Sequence, residues 1–371
     1  MNREIECLGN HPREMSALRS WLIALIALVG CMLLIIRSSY FSTSSTTTAS
    51  PSSLRGSSTA SKITLSSSTV YTLKASSYDQ FRFTSPGQDV LQPVLTALAP
   101  GLAILDLGCG SGAFLNELAA LEPRVLDAID PNQAMVDKSL ARVETSPILS
   151  VAVLNKYDKT TAPDANSENN RMVLNVHQGD ITNLPSSFYD VVFCAQILQN
   201  LTPDPAQAAA ARQLFLTQIR RVLKPGGKLV LTTRAVSPGV NGRWSDLYWY
   251  ADPLIAPRAV AAMEAMVPVR PLEELVHAGF EHATQLLSRD LVVRPDAYSN
   301  STNLKNSAYR SADSFFQHVH TDELGAMLRN IESRHREGTL KEYMHNRDAL
   351  RGEMGHVAVL VASRPNSRPN S

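Results

Sequence analysis

The chain of 371 residues is poor in the residue types that build metal centres and disulfide frameworks. It contains four cysteines, which form neither a Cys-x-x-Cys pair nor a cluster with histidine at metal-ligand spacing. The sequence therefore excludes a disulfide scaffold and predicts no metal site. The cysteines stand singly, at Cys7, Cys31, Cys109 and Cys194.

The chain also lacks an excess of charge of either sign. Its 35 basic side chains are balanced by 34 acidic ones, which leaves a net charge of +1. Proteins that bind nucleic acid generally neutralise phosphates with a surplus of Lys and Arg. The composition therefore predicts no nucleic-acid partner.

One segment near the N-terminus lacks charge altogether. Residues 20–36 form an apolar run of 17 residues bounded by Arg19 and Arg37. This length lies at the short end of the roughly 17 to 25 residues that span a bilayer as a helix. We therefore expect a single membrane anchor, preceded by a short tail over residues 1–19. A cleaved signal peptide is the rival interpretation, but Arg37 and the lack of a clear Ala-x-Ala site count against cleavage.

The segment that follows lacks acidic side chains, since no Asp or Glu occurs between Glu14 and Asp79. More than half of its residues are Ser or Thr, so it can bury too little apolar surface to offset its chain entropy. We expect residues 37–77 to form a disordered stalk and residues 364–371 a disordered tail. A basic, Ser-rich stretch after a signal-like segment also resembles the import sequences of some plastid proteins, so a plastid or another organelle is the second hypothesis for localisation.

Beyond Tyr78, apolar runs of four to seven residues alternate with amphipathic stretches. This alternation predicts strand-helix repeats around a parallel sheet. A polar surface insertion is expected at residues 145–171, and a helical insertion that caps one end of the sheet at residues 290–355. The predicted strands are 103–107, 125–129, 173–177, 191–194, 228–233, 283–287 and 357–362, and the predicted helices include 88–98, 113–121, 134–143, 207–222, 272–277, 322–334 and 340–350.

The first predicted strand ends in a glycine-rich segment that reads Ile104-Leu-Asp-Leu-Gly-Cys-Gly-Ser-Gly-Ala-Phe114. Glycines at Gly108, Gly110 and Gly112 let the backbone turn sharply and approach a ligand closely, next to a helix N-terminus with unpaired N–H groups. With Ala113 the segment also satisfies the Gly-x-Gly-x-x-Gly/Ala pattern of dinucleotide-binding folds. An NAD(P)-dependent oxidoreductase therefore stays open at this point.

Further motifs follow in a fixed order. Asp130 closes the second strand, where a carboxylate can accept hydrogen bonds from both ribose hydroxyls. Asp180 follows the third strand in Gly179-Asp-Ile181, and Pro225-Gly-Gly227 precedes the fifth. Each motif alone also fits an ordinary loop or turn, but the ordered set is more specific than the glycine segment alone.

With these motifs, residues 104–287 resemble the class I S-adenosylmethionine-dependent methyltransferase family, especially its small-molecule quinone and sterol group. The resemblance implies a methyltransferase domain over residues 78–363. Its fold would be a Rossmann-like seven-stranded, mostly parallel sheet with helices on both faces. The last strand, 357–362, would be antiparallel and would follow the helical insertion.

The resemblance also implies S-adenosyl-L-methionine as the cofactor and assigns roles to individual residues. The amino-acid part of the cofactor would be held by Asp106 with the glycine segment, the ribose by Asp130, and the adenine amino group by Asp180. Ile181 would pack on the adenine ring, and the segment Cys194-Ala-Gln196 would face the methionine and the substrate. The implied set is Asp106, Gly108, Gly110, Gly112, Asp130, Asp180, Ile181 and Cys194.

No general base follows from the resemblance, because the chain reads Ile197-Leu-Gln-Asn-Leu201 where the family often has histidine. The remaining candidates are His318, His320 and Asp246, each of which is equally compatible with a surface position. The aromatic stretch 243–250 fits either a substrate pocket or the interior of the cap. By similarity, Tyr78 and Phe81 could close over the cofactor.

The sequence thus predicts in-line methyl transfer to a small molecule, and an anchored enzyme would favour a lipophilic acceptor. Two other functions stay open: an NAD(P)-dependent oxidoreductase, and a non-catalytic nucleotide-binding scaffold that keeps the fold.

Overall fold

The computed structural model describes residues 78–82, 86–149, 153–154, 172–238 and 242–366. Within these ranges no helix combines the length and the apolar character that crossing a membrane requires. Three predicted segments, the tail 1–19, the anchor 20–36 and the stalk 37–77, lie outside the described residues, as do residues 367–371 of the predicted C-terminal tail.

A single mixed sheet forms the centre of the fold, in the order β3-β4-β2-β1-β5-β6-β8-β7. All neighbours from β3 to β6 are parallel, whereas β8 pairs antiparallel with both β6 and β7. The predicted antiparallel last strand is therefore confirmed. The strands are β1 (Ala103–Leu107), β2 (Val125–Asp130), β3 (Val153–Leu154), β4 (Val173–Gln178), β5 (Tyr189–Ala195), β6 (Leu223–Arg234), β7 (Glu281–Ser288) and β8 (Val357–Ser363).

Strand β3 adds an eighth strand to the seven that the sequence predicts. Strand β3 lies inside the stretch 145–171, which is predicted to be a surface loop. Both of its residues pair with β4, Val153 with Val173 and Leu154 with Leu174. A two-residue strand at a sheet edge leaves no periodic pattern in the sequence, which explains why it is not predicted.

The helices alternate with the strands as the apolar periodicity predicts. Outside the cap, two helices, α1 and α6, lie in stretches for which the sequence predicts none. The helices are α1 (Tyr78–Phe81), α2 (Gln88–Thr96), α3 (Leu115–Ala119), α4 (Gln133–Thr145), α5 (Ala208–Val222), α6 (Pro257–Met266), α7 (Pro271–His277), α8 (Pro295–Tyr298), α9 (Ser307–Ala312), α10 (Thr321–Arg336) and α11 (Leu340–Met354).

Helices cover both faces of the sheet, because successive strand residues point to opposite sides. Ile104 of β1 packs with Leu91 and Leu118, in the apolar cluster under α2, α3 and α4. Its neighbour Leu105 belongs to the opposite cluster, with Phe215 of α5. Each such fully buried side chain contributes about 1.5–3 kcal/mol to stability, so the two clusters hold the central strands rigidly. A rigid sheet fixes the loops at its carboxyl edge, where the candidate site lies.

Residues 289–356, which we call the cap, form a helical insertion between β7 and β8. The predicted helices 322–334 and 340–350 are present there as α10 and α11. The aromatic residues of the stretch 243–250 are buried in an apolar cluster with cap residues, so the structure favours the cap-interior interpretation of that stretch.

Candidate functional site

Residues 108–112, which we call the glycine loop, turn sharply away from the carboxyl end of β1. The N–H groups of Gly108 and Cys109 both donate to the carbonyl oxygen of Ile129, at 2.7 and 3.1 Å, which ties the start of the loop to β2. Gly110 has φ +56°, and a Cβ added there would have no atom within 4 Å. A side chain would fill this open space, so glycine leaves the backbone accessible to a ligand.

Asp106 lies in the strand that leads into the glycine loop. Its side chain is buried, and its Oδ2 atom has no hydrogen-bond partner among the described residues. Burial, with smaller contributions from the negative charges of Asp130 and Glu117, raises its pKa from 3.8 to about 8. A buried acceptor without a partner is costly unless a ligand supplies a donor. Asp106 is therefore suited to bind a cationic N–H group.

Asp130, at the end of β2, connects that strand to the glycine loop. Its Oδ2 accepts a hydrogen bond from the Gly110 N–H at 3.0 Å, and its Oδ1 accepts one from the Asn132 N–H at 2.8 Å. Burial raises its pKa to about 6, although these two N–H groups act in the opposite direction. Each carboxylate oxygen keeps a further lone pair, so this arrangement leaves room for the predicted ribose contact, which stays a prediction.

A cleft of about 580 Å³, open to solvent, lies beside the glycine loop. The predicted cofactor residues Asp106, Gly108 and Gly110 line it, and so does Tyr78, as the similarity implied. The lining residues are Tyr78, Asp79, Arg82, Pro86, Asp106, Gly108, Cys109, Gly110, Ser111, Ala113, Phe114, Ala195 and Gln196.

Other predicted cofactor residues do not line this cleft. Gly112 is buried, and a Cβ there would stand 2.8 Å from the Ser139 Oγ of α4, so this glycine serves helix packing. The side chain of Cys194 is fully buried in the sheet core, because the alternation along β5 turns it away from the cleft and places Ala195 and Gln196 there instead.

Asp180 and Ile181 lie after β4. The Asp180 side chain accepts a hydrogen bond from the Thr182 N–H at 2.8 Å and caps a short 3-10 helix. Ile181, the first residue of that helix, is buried among core residues. Their predicted contacts with adenine stay predictions.

The short helix α1 forms one wall of the cleft. Its Asp79 accepts a hydrogen bond from the buried Ser111 hydroxyl at 2.6 Å and is paired with Lys138 at 3.2 Å. Phe81, by contrast, is buried in the cap cluster, with its ring edge-on to Tyr309 at 5.6 Å. Phe81 therefore supports this wall from behind, and the hypothesis that it closes over the cofactor is wrong.

Gln196, the last residue of the predicted segment Cys194-Ala-Gln196, lines the cleft. It has φ +57°, a conformation that costs about 1–3 kcal/mol for a residue other than glycine. Its N–H donates to the Thr232 carbonyl at 2.8 Å, and its own carbonyl accepts from the side-chain amides of Gln199 and Asn200, each at 3.0 Å. These bonds fix the backbone of Gln196. Its neutral amide side chain donates to the Thr232 hydroxyl and accepts from the Gln199 amide, each at 3.4 Å.

The three candidate bases are not brought to the cleft. Asp246 accepts a hydrogen bond from the Ser237 hydroxyl at 2.8 Å. His320 is exposed and directly precedes α10, and His318 ends the 3-10 helix before it. None of them is among the residues that line the cleft. The sequence suggested them only because their residue types can titrate, which says nothing about position.

A buried ion pair joins the cap to the sheet. Arg234, at the end of β6, donates to Asp313 of the cap at 2.6 Å, and neither side chain is exposed to solvent. The Tyr250 hydroxyl donates to the other Asp313 oxygen, also at 2.6 Å. Burial opposes the charge of Asp313, but Arg234 and Tyr250 hold its pKa below the usual value of 3.8. The pair therefore stays ionised and fixes the cap on the carboxyl end of β6.

Comparison with known proteins agrees with this geometry. Residues 105–231 match a family model described as a methyltransferase domain. An uncharacterized 37.1 kDa protein in transposon TN4556 of Streptomyces fradiae is 34% identical over 160 residues, which cover 41% of this chain and 36% of that protein. The match thus spans about a third of the curated relative.

Two solved structures illustrate the likeness to known folds. A methyltransferase from an antibiotic biosynthesis pathway of Anabaena variabilis has 16% identity and a TM-score of 0.48, over 75% of this chain and 97% of that one. Phosphoethanolamine N-methyltransferase 2 of Haemonchus contortus, in complex with S-adenosyl-L-methionine, has 14% identity and a TM-score of 0.42, over 79% of this chain and 57% of that one.

Residues 105–231 therefore carry a methyltransferase domain, and the sheet order and the glycine loop agree with the class I S-adenosylmethionine-dependent family that the motifs predicted. The family, fold and cofactor class that the motifs predicted are confirmed. The match is to a methyltransferase and gives no support to the NAD(P)-dependent oxidoreductase.

Proposed function

We propose that the protein transfers a methyl group from S-adenosylmethionine to a small-molecule acceptor. The observation that carries this proposal is the buried carboxyl group of Asp106, whose Oδ2 lacks a partner among the described residues, beside the open backbone at Gly110. A carboxylate next to accessible backbone suits the ammonium and the amino-acid chain of the cofactor. The residues present therefore fit the cofactor that the family uses.

The cofactor, when bound, supplies a methyl group that its sulfonium has already activated. The work left to this chain is alignment and the exclusion of water. Asp106 and Gly110 would hold the amino-acid end, and Asp130 would hold the ribose. The adenine contacts of Asp180 and Ile181 belong to the same proposal and rest on the resemblance.

The acceptor would approach past Gln196, which lines the cleft at the carboxyl end of β5. Its amide can orient an acceptor by donating or accepting a hydrogen bond, but it cannot remove a proton. Gln196 would thus position the acceptor for in-line transfer.

We also propose, from the sequence alone, that residues 20–36 tether the protein to a membrane and that the acceptor is lipophilic. The support is the uncharged run between Arg19 and Arg37. Alkaline extraction of membranes from cells that express the full chain tests the tether, because an integral protein stays in the pellet. Release into the supernatant, or import into an organelle with cleavage, would favour the transit-like alternative.

Calorimetric titration of the full-length protein tests the cofactor proposal. We expect S-adenosylhomocysteine to bind and NAD not to bind, and the reverse result would establish the oxidoreductase instead. Asp130→Ala should weaken S-adenosylhomocysteine by about tenfold or more, since hydrogen bonds to charged groups contribute about 1.5–3 kcal/mol. Asp137→Ala is the matched control, because this exposed aspartate on α4 bonds only Gln133 in the described structure. Equal affinity of Asp130→Ala and wild type would refute the ribose assignment.

A further inference from the structure

Arg82 is a charged residue of the cleft wall to which neither the motifs nor the family match assign a role. It follows α1 directly and lines the cleft together with Tyr78 and Asp79. Asp79, its acidic neighbour, is already neutralised by Lys138 and Arg142 and bonded by Ser111. The charge that this wall offers to a ligand is therefore the positive charge of Arg82.

The backbone around Arg82 is held on both sides. Its N–H donates to the Tyr78 carbonyl at 3.2 Å, and Arg82 forms an antiparallel bridge with Val293 of the cap. The Arg294 N–H donates to the Phe81 carbonyl at 2.8 Å. These backbone contacts hold the Cα of Arg82 at the cleft wall, so only its side chain has to be ordered when a ligand binds.

The guanidinium group keeps donors for a ligand. Within the described residues it makes one hydrogen bond, from Nη1 to the Ala312 carbonyl at 3.3 Å, and it lies 5.2 Å from the centroid of the Tyr78 ring. A guanidinium carries five N–H donors in a planar fork that matches a carboxylate. Arg82 can therefore bind a carboxylate without giving up its present contacts.

The amino-acid end of the cofactor carries one positive and one negative group on the same carbon atom. Asp106 suits the ammonium, so the carboxylate must lie nearby within the same cleft, where Arg82 provides the complementary charge. On the basis of the proposed function, we infer that Arg82 binds the carboxylate of the methionine part of S-adenosylmethionine. The cleft would then bind the ammonium of the zwitterion through the acidic Asp106 and its carboxylate through the basic Arg82.

Two ligands distinguish this role from a structural one. S-adenosylhomocysteine carries the amino-acid end, whereas 5′-methylthioadenosine keeps the nucleoside and lacks the carboxylate. In calorimetric titrations of the full-length protein, Arg82→Met should bind S-adenosylhomocysteine about 10- to 100-fold more weakly, the range for a charge-assisted hydrogen bond. Its affinity for 5′-methylthioadenosine should stay within about twofold of wild type, because methionine retains the apolar stem of arginine.

The controls separate charge from geometry. Arg82→Lys keeps the charge but loses the fork, so it should recover part of the affinity for S-adenosylhomocysteine. Arg294→Met removes an exposed arginine paired with Asp296 next to the same wall, and it should change neither affinity. Equal weakening of both ligands in Arg82→Met, or no weakening of either, would overturn the inference while the proposed function stands. A wild-type protein that binds neither ligand would overturn both.

Discussion

The ionisation of Asp106 makes the affinity for the cofactor depend on pH in a direction that the structure fixes. Burial, then the charges of Asp130 and Glu117, raises the pKa of Asp106 to about 8 in the free protein. In the proposed function the ammonium of S-adenosylhomocysteine binds the ionised carboxylate of Asp106, so ligand binding would be accompanied by loss of the proton. We therefore expect the affinity to reach its full value only well above pH 8, where Asp106 is fully ionised, and to fall as the pH decreases through the pKa.

The size of the effect follows from the fraction of Asp106 that is ionised. With a pKa of about 8, roughly half is ionised at pH 8 and about one hundredth at pH 6, so affinity should fall about 50-fold between them. Near pH 7 the binding of each ligand molecule should release close to one proton. Asp130, with a pKa of about 6, adds to the dependence only at the lower end of this range.

Calorimetry in two buffers of different ionisation enthalpy measures both the affinity and the number of protons released. Asp106→Asn is close in shape and does not titrate, so its weaker binding should be independent of pH between about 6.5 and 8.5. Binding of 5′-methylthioadenosine, which has no ammonium, should also be flat in the wild type. If the wild type releases no proton near pH 7, or if Asp106→Asn keeps the same dependence, the assignment of the ammonium to Asp106 is refuted.

Two further predictions concern stability and the glycine loop. Asp313→Ala leaves Arg234 buried without its partner, so the free energy of unfolding measured in urea should fall by about 3–5 kcal/mol. The double variant with the apolar pair Arg234→Met and Asp313→Leu should recover most of this loss. An unchanged urea midpoint for Asp313→Ala would show that the pair is not buried. Gly112→Ala should destabilise the fold by about 1–3 kcal/mol, because its Cβ would stand 2.8 Å from Ser139. Gly110→Ala, whose Cβ meets open space, should instead reduce the affinity for S-adenosylhomocysteine more than the stability; the opposite ranking of these two variants would contradict their assigned roles.

The strands were predictable because each is a short apolar run between turn-forming residues. All seven predicted strands are present, and β1 follows its predicted bounds, Ala103–Leu107. Helix α6 (Pro257–Met266) was missed because its apolar residues stand among many alanines, which weakens the periodic signal. Strand β3 depends on pairing with β4 and has no local signal of its own.

The same distinction, between residues with a local sequence signal and residues placed by distant contacts, applies to the candidate site. Asp106 and Gly110 were predictable because they belong to one contiguous motif, and chain geometry alone puts them together at the end of β1. Cys194 was placed in the cleft by its position in the motif, but the alternation of side chains along β5 decides otherwise. Ala195 and Gln196 of the same predicted segment do line the cleft. Arg82 reaches the cleft through its pairing with Val293, which is distant in the chain, so no local pattern reports it.

The antiparallel pairing of β7 with β8 also bears on how such a domain can diversify. Ser288 and Val357, which flank the cap, are register partners in the sheet, so the cap enters and leaves at neighbouring positions. Its length and sequence can change while the strand pairing below it is kept, much as a hairpin tolerates a longer loop. The glycine loop and Asp130 lie in a separate part of the chain, between β1 and the start of α4. Insertions, deletions or grafts in the cap can therefore change that part of the chain while the glycine loop and Asp130 keep their places at the ends of β1 and β2.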